Sequence, residues 1–227
     1  NNKRQLIKKG LHTLSNILIN YFGKIMAIEL KNSMFVHIPK CGGRKVTDLI
    51  CKYVKDYRIV GDRVYDAHNT PDTNKQVFAF IRHPATFAHS LWKHRSKVKS
   101  NKHGHKWNWQ KYLRLEKDCG NSDYNKFVEN ILNGTDYVYD YYKHYTNKYP
   151  DVQFGRMENL VEDLIDILKK NGEVFDEERM KKDNSIIGSN HITKKPSTLK
   201  DSMNQDQLNR LVNISEQSLC QRFNYEV

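Results

Sequence analysis

The sequence predicts one α/β domain, P-loop-like, with a mainly parallel central sheet flanked by helices. Three observations point there. Short apolar runs alternate with stretches of helical periodicity. One run, "KQVFAFI" (75–81), is apolar without alternation, as a central parallel strand buried on both faces requires. Two runs end in residues suited to anions, "PKCGG" (39–43) and "RHP" (82–84). Ligands of open α/β sheets bind beyond the carboxyl ends of the strands, where these segments fall.

Residues 1–32 read as an amphipathic helical extension. In "LIKKGLHTLSNILINYFGKIM", Ile7, Leu11, Leu14, Leu18 and Tyr21 fall at helical spacing. Such a helix packs on the domain or on a second copy, giving a homodimer; the alternative is a basic membrane-surface helix. The domain proper then runs over 33–227. "SMFVHI" (33–38) is its first strand. After the "PKCGG" loop, Val46, Leu49, Ile50, Tyr53 and Val54 make a helical face. "YRIVG" (57–61) is a second strand and 75–81 a third. Pro84 suits the first turn of the next helix, where no backbone hydrogen bond is lost, and Phe87, Leu91 and Trp92 give it a core face.

"KHRSKVKSNKHGHK" (93–106) is a basic stretch, either a solvated surface or a contact for an acidic glycan. Helices are expected near 107–116, 122–132 and 137–145, the second capped by Ser122 or Asp123 and ended by Gly134. "VQFGRMENL" (152–160) reads as a strand running into a helix over 159–170 that stops at Asn171-Gly172. Beyond the loop "GSNHITKKPSTLKDSM", C-terminal helices are expected over about 205–213 and 215–222.

The formal charge of +12 makes an anionic partner the default: nucleic acid, phosphorylated cofactor, acidic glycan or membrane surface. Charge alone does not choose among them. The four cysteines form no CxxC pair, so neither a zinc site nor a disulfide framework is indicated, and a reduced compartment is expected. No apolar run approaches the ~20 residues of a membrane span. No secretory h-region or cleavage site stands at the start. These point to a cytoplasmic protein, with a Golgi luminal domain as the alternative.

A strand, a glycine-containing turn and a helix N-terminus together make an anion site, because unpaired N–H groups and the helix dipole point at the ligand. Gly42 and Gly43 let the backbone approach closely. Lys40 adds a mobile cation, and Thr47 adds a hydroxyl from the first helical turn. The standard P-loop order G-x-x-x-x-G-K-[ST] places its lysine after the glycines; Lys40 precedes them. In "IRHPATFAHS", Arg82 stands at a strand end and Ser90 follows eight residues later. Arginine forks onto phosphate, and serine supplies a further donor. Two anion sites at two strand ends suit a ligand with two anionic ends.

"FVHIPKCGG" followed by "FIRHPATFAHS" resembles the sulfotransferases, in particular the carbohydrate O-sulfotransferase branch typified by heparan sulfate 2-O-sulfotransferase. "GRMENLVEDL" and "LCQRFNYEV" are weaker points of likeness. The resemblance runs from about residue 33 to the C-terminus. It implies 3′-phosphoadenosine 5′-phosphosulfate (PAPS) as donor, adenosine 3′,5′-bisphosphate as product, and a hydroxyl acceptor such as a glycan. It implies that Cys41, Gly42, Gly43, Arg44 and Lys45 cradle the 5′-phosphosulfate, helped by Thr47. Lys40 stabilises the bridging oxygen, and Arg82 and Ser90 hold the 3′-phosphate. No metal is needed where cations take that role. The resemblance points to His68 in "YDAHNT" as general base, although its flanks depart from the usual Gly-His; the other reading is an ordinary or substrate-binding histidine. Lys194 and Lys195 lie in a loop that related enzymes fold over the nucleotide, where they bind the 3′-phosphate or stay solvated. Glu158 is a weaker base candidate and reads better as a carboxylate that buttresses the site or caps the helix near Asn159; His37 reads as packed or hydrogen-bonded beside the loop rather than catalytic. Two other functions fit parts of the sequence. A P-loop kinase would use ATP with Mg²⁺, and a non-catalytic polyanion or nucleic-acid binder would account for the charge.

Overall fold

The computed structural model describes residues 27–60, 71–96, 109–184 and 198–227. The N-terminal helix expected to support a homodimer, His68, most of the basic stretch, Lys194 and Lys195 lie outside the described residues.

Five strands form one sheet: β1 (Ala27–Leu30), β2 (Ser33–Val36), β3 (Tyr57–Val60), β4 (Gln76–Ile81) and β5 (Gln153–Arg156). Their order is β3-β1-β2-β4-β5. β2, β4 and β5 pair in parallel, with Phe35 opposite Phe78 and Phe80 opposite Gly155. β1 is antiparallel to both of its neighbours. The expected mainly parallel sheet is therefore corrected to a mixed one. The cause is local. Lys31-Asn32 is a two-residue link, short enough only for an antiparallel hairpin. The Asn32 side chain pins that turn by donating to the carbonyls of Asn171 and Gly172, each at 3.0 Å. β1 itself lies in the segment read from sequence as a helical extension.

Helices cover both faces. α1 (Gly43–Tyr53), α6 (Leu160–Lys170) and α7 (Glu177–Asn184) pack on one face, where Val46, Leu49, Ile50, Leu164 and Leu168 close over Phe35, Phe78 and Phe80. α2 (Pro84–Arg95), α3 (Arg114–Cys119), α4 (Tyr124–Leu132), α5 (Tyr137–Thr146), α8 (Leu199–Ser202), α9 (Gln205–Arg210) and α10 (Gln217–Phe223) build the other. Each fully buried Leu, Ile or Phe in these layers contributes about 1.5–3 kcal/mol. β4 lies between them with all but its first residue buried, as its unbroken apolar run requires.

Several helix boundaries follow sequence chemistry. The Asp123 carboxylate accepts from the N–H groups of Asn125 and Lys126, as an N-cap should. α6 ends at Asn171, and Gly172 takes φ +65°. The helix expected over 107–116 begins instead at Arg114. Within it, Glu116 turns inward and accepts the Gln110 N–H at 2.7 Å, which ties the preceding segment back to the helix. α7 was not expected, because seven of the residues in "EERMKKDN" are polar or charged and only Met180 enters the core.

This topology positions the site. From β2 the chain moves through α1 to β3, beyond β1; from β4 it moves through α2–α5 to β5, on the other side. The sheet therefore divides at the adjacent carboxyl ends of β2 and β4, the place where α/β sheets open a binding crevice.

Candidate anion-binding site

Three segments meet at these strand ends: His37–Gly42 after β2, Arg82-His83 after β4, and Met157-Glu158 after β5. The first is tightly wound. Lys40 and Gly42 both take left-handed backbone, at φ +71° and +80°. Glycine accepts this without cost, whereas for lysine it is strained by about 1–3 kcal/mol. The Cys41 N–H donates to the Ile38 carbonyl at 3.3 Å, and the Lys45 N–H to the Gly42 carbonyl at 2.9 Å. These two amides are thus committed within the loop. The Gly43 and Arg44 amides open α1, where no preceding turn supplies a carbonyl, and α1 has no side-chain cap. Of the five amides expected to cradle an anion, the donors left are those of Gly42, Gly43 and Arg44.

The two glycines also have internal reasons. A Cβ at Gly43 would lie 1.9 Å from Cδ2 of His37, and one at Gly42 would lie 2.8 Å from Cδ1 of Leu160. His37 stacks on Phe35 at 6.2 Å and 19°, so it packs beside the loop as expected. Thr47 is buried, and Lys45 turns toward Asp183 on α7 at 3.8 Å. Neither side chain extends the donor set in this arrangement.

Lys40 is half-buried, and among the described residues its ammonium has no carboxylate or hydrogen-bond partner. Burial lowers its pKa from 10.5 to about 8, and the nearby charges of Arg44, Arg82 and Arg95 add to that. Four cations therefore gather at one loop. Arg44 is exposed. Arg82 is buried; its Nε donates to the Thr86 hydroxyl at 2.9 Å, and its carbonyl accepts from the Tyr142 hydroxyl at 2.7 Å. The terminal guanidinium nitrogens of Arg82 have no partner among the described residues. Ser90, expected to work with Arg82, stands half-buried on α2. The hydroxyl that touches Arg82 is that of Thr86, one turn earlier, which sequence reasoning missed.

Arg95 was also missed, being read as part of a basic surface stretch. It is buried and paired with the fully buried Glu116, Nη2 to Oε1 at 2.9 Å and Nε to Oε2 at 2.8 Å. The signal lies in the spacing Phe87, Leu91, Arg95, which puts Arg95 on the core face of α2.

Glu158 acts as the expected buttress. Oε1 accepts the His83 N–H at 2.8 Å, and Oε2 accepts the Tyr225 hydroxyl at 3.2 Å. The His83 Nδ1 caps α2 by accepting from the Ala85 N–H at 3.2 Å, so Nε2 carries the proton toward the Glu226 carbonyl at 3.0 Å. Burial lowers the His83 pKa, which keeps that neutral tautomer. Cys41 is buried, and its burial pushes the thiol pKa up, against a role as nucleophile.

Two surface clefts lie away from this site. One is lined by residues including Glu29, Arg58, Asp72 and Lys75, the other by Lys52, Tyr53, Phe175 and Glu177. Concavity alone favours them, but both mix acids with bases, and at the second the helix-end amides of α7 stand among the carboxylates of Asp176, Glu177 and Glu178. The chemistry favours the loop. Comparison of the chain with protein-family models, with curated proteins and with solved structures finds no match in any of the three.

Proposed function

We propose that the chain is a sulfotransferase that binds PAPS at the β2 and β4 ends and passes its sulfuryl group to a hydroxyl, with a glycan as the favoured acceptor. One observation carries the reading. The Lys40 ammonium and the two terminal guanidinium nitrogens of Arg82 have no partners among the described residues, at two adjacent strand ends beside uncapped amides. Leaving such charges uncompensated is costly, and a ligand with two anionic groups removes the cost at both.

In this reading the 5′-phosphosulfate lies against the Gly42–Arg44 amides and the 3′-phosphate against Arg82. The acceptor oxygen attacks sulfur in line, the bond from sulfur to the bridging oxygen breaks, and adenosine 3′,5′-bisphosphate leaves. Lys40 donates to the bridging oxygen as negative charge develops there. With its pKa near 8, it remains mostly protonated at neutral pH. The acceptor proton goes to a base. His68 is the candidate from the sequence, and it lies outside the described residues.

The test is thermal stability against adenosine 3′,5′-bisphosphate, AMP, ADP and ATP–Mg²⁺. A ligand at 100 times its Kd adds about 2.7 kcal/mol. Selective stabilisation by the bisphosphate is expected. Preference for ATP–Mg²⁺ would turn the reading to a kinase. Salt-sensitive binding of any polyanion, unchanged in Lys40→Ala, would turn it to a non-catalytic polyanion binder.

A further inference from the structure

His89 is not among the groups that meet at the ends of β2 and β4. It sits on α2, seven residues beyond Arg82 and next to Ser90, and it is 8% exposed. Its Nδ1 is buried and has no hydrogen-bond partner among the described residues. A buried polar nitrogen left in that state keeps its desolvation penalty with no bond to offset it. Native structures satisfy nearly all such groups, so the exception calls for an explanation.

Packing explains the ring but not the nitrogen. The imidazole lies 5.1 Å from the Tyr124 ring at 39°, and Tyr124 in turn leans on Trp92 at 5.0 Å. An aromatic hydrocarbon would fill that space equally well. The Tyr124 hydroxyl donates to the Ser202 carbonyl and makes no hydrogen bond with His89 Nδ1. The helix places Thr86, His89 and Lys93 along one stripe, at intervals of three and four residues, and Arg82, which precedes the helix, joins its N-terminal end through the bond from Nε to the Thr86 hydroxyl. The charges that act on the imidazole are Lys93 on that stripe, Arg82 ahead of the helix, and Asp201 on α8, which packs across α2. Burial is the largest influence and lowers its pKa; the two cations lower it further and Asp201 opposes them. An imidazole with a vacant nitrogen, bracketed by an arginine and a lysine, is equipped to meet a phosphate.

We propose that His89 is a specificity-determining ligand of the donor's 3′-phosphate, completing with Arg82 a subsite for a ribose phosphomonoester. The inference rests on the donor reading above and adds a residue to it. The incoming group supplies the missing partner for Nδ1. A dianion there also favours the protonated imidazole, which then donates, so preference for the 3′-phosphorylated ligand strengthens as pH falls from 8 to 6.

The experiment measures affinities of adenosine 3′,5′-bisphosphate and AMP for the full chain by calorimetry, at pH 8 and pH 6. Proteins compared are the wild type, His89→Phe, which keeps the stack on Tyr124, and His89→Gln, which keeps a polar group. Wild type is expected to favour the bisphosphate over AMP, more so at pH 6. His89→Phe is expected to lose tenfold or more of its bisphosphate affinity, to keep its AMP affinity, and to lose the part of the pH dependence that wild type adds to the ligand's own titration. His89→Gln is expected to be intermediate, and it decides the matter if the Phe variant does not fold. A variant that retains the wild-type preference and pH dependence overturns the inference while leaving the donor reading intact. Equal weakening for both nucleotides overturns it too, marking His89 as packing alone. A wild type with no preference for the bisphosphate overturns the donor reading itself.

Discussion

Lys40 is the residue on which the site reading depends most, and removing it should make the unliganded protein more stable. Two costs are visible in the structure. The ammonium is half-buried without a counter-charge, which brings its pKa from 10.5 to about 8. At about 1.4 kcal/mol per pH unit, that gap corresponds to about 3 kcal/mol against the charged form. The backbone at φ +71° adds about 1 kcal/mol or more that glycine would not incur. Lys40→Met removes the charge and keeps an apolar stem; Lys40→Gly removes the charge and the backbone strain but loses the stem's packing. Chemical denaturation at pH 7 should find Lys40→Met more stable than wild type by about 2–3 kcal/mol, with Lys40→Gly at least as stable as wild type.

The pH dependence identifies the cause. Between pH 8 and 10.5 the unfolded chain holds a proton at Lys40 that the folded chain has lost, so wild-type stability gains from rising pH across this window. Below pH 8 the penalty is fully present. Buried tyrosines and cysteines act in the opposite sense, so the quantity to follow is the difference between variant and wild type. The advantage of Lys40→Met should be full at pH 7 and shrink toward zero by pH 10.5. Both variants should lose the stabilisation that the proposed ligand, adenosine 3′,5′-bisphosphate, is expected to give to wild type. A Lys40→Met protein that is less stable than wild type at pH 7 would refute the reasoning, because it would mean that the ammonium is already compensated in the fold. An advantage independent of pH would refute its electrostatic part.

Other outcomes follow from single contacts. Arg82→Ala should weaken adenosine 3′,5′-bisphosphate binding by roughly 10- to 100-fold, the scale of a charge-assisted pair, and leave AMP nearly unaffected in calorimetry; equal losses for both would move Arg82 away from the 3′-phosphate. Glu116→Ala strands the buried Arg95 charge, and urea denaturation should show a loss of about 3–5 kcal/mol; a loss under 1 kcal/mol would mean that Arg95 reaches solvent. Gly43→Ala places a Cβ 1.9 Å from the His37 ring and should cost about 1–3 kcal/mol together with nucleotide binding. His37→Ala in that background should recover part of the stability, and failure to do so would mean that the clash is not the cause.

The sequence made the site's backbone legible and left its side-chain partnerships hidden. Strand ends, loop and helix starts around Lys40 and Arg82 could be read because local chemistry sets them: an apolar run, glycines at a turn, proline at N1 of α2. β1 was hidden because four residues, "AIEL", are too few to show a period, and its antiparallel pairing depends on a hairpin turn that Asn32 anchors to residues 171–172. The same limit separates Ser90 from Thr86. Spacing along α2 places both near Arg82, and only the folded geometry selects the hydroxyl one turn away. Arg95 shows it most clearly. In composition it is one more cation in a basic run; in the fold, Glu116 holds it in the core and its charge acts on Lys40. A count of positive charge therefore misjudges the site. Of the Lys and Arg residues responsible for the net +12, those that matter at the loop are the few that burial prevents water from satisfying. That is also why the stability of the unliganded protein is a direct test of whether the Lys40 charge is left uncompensated in the fold.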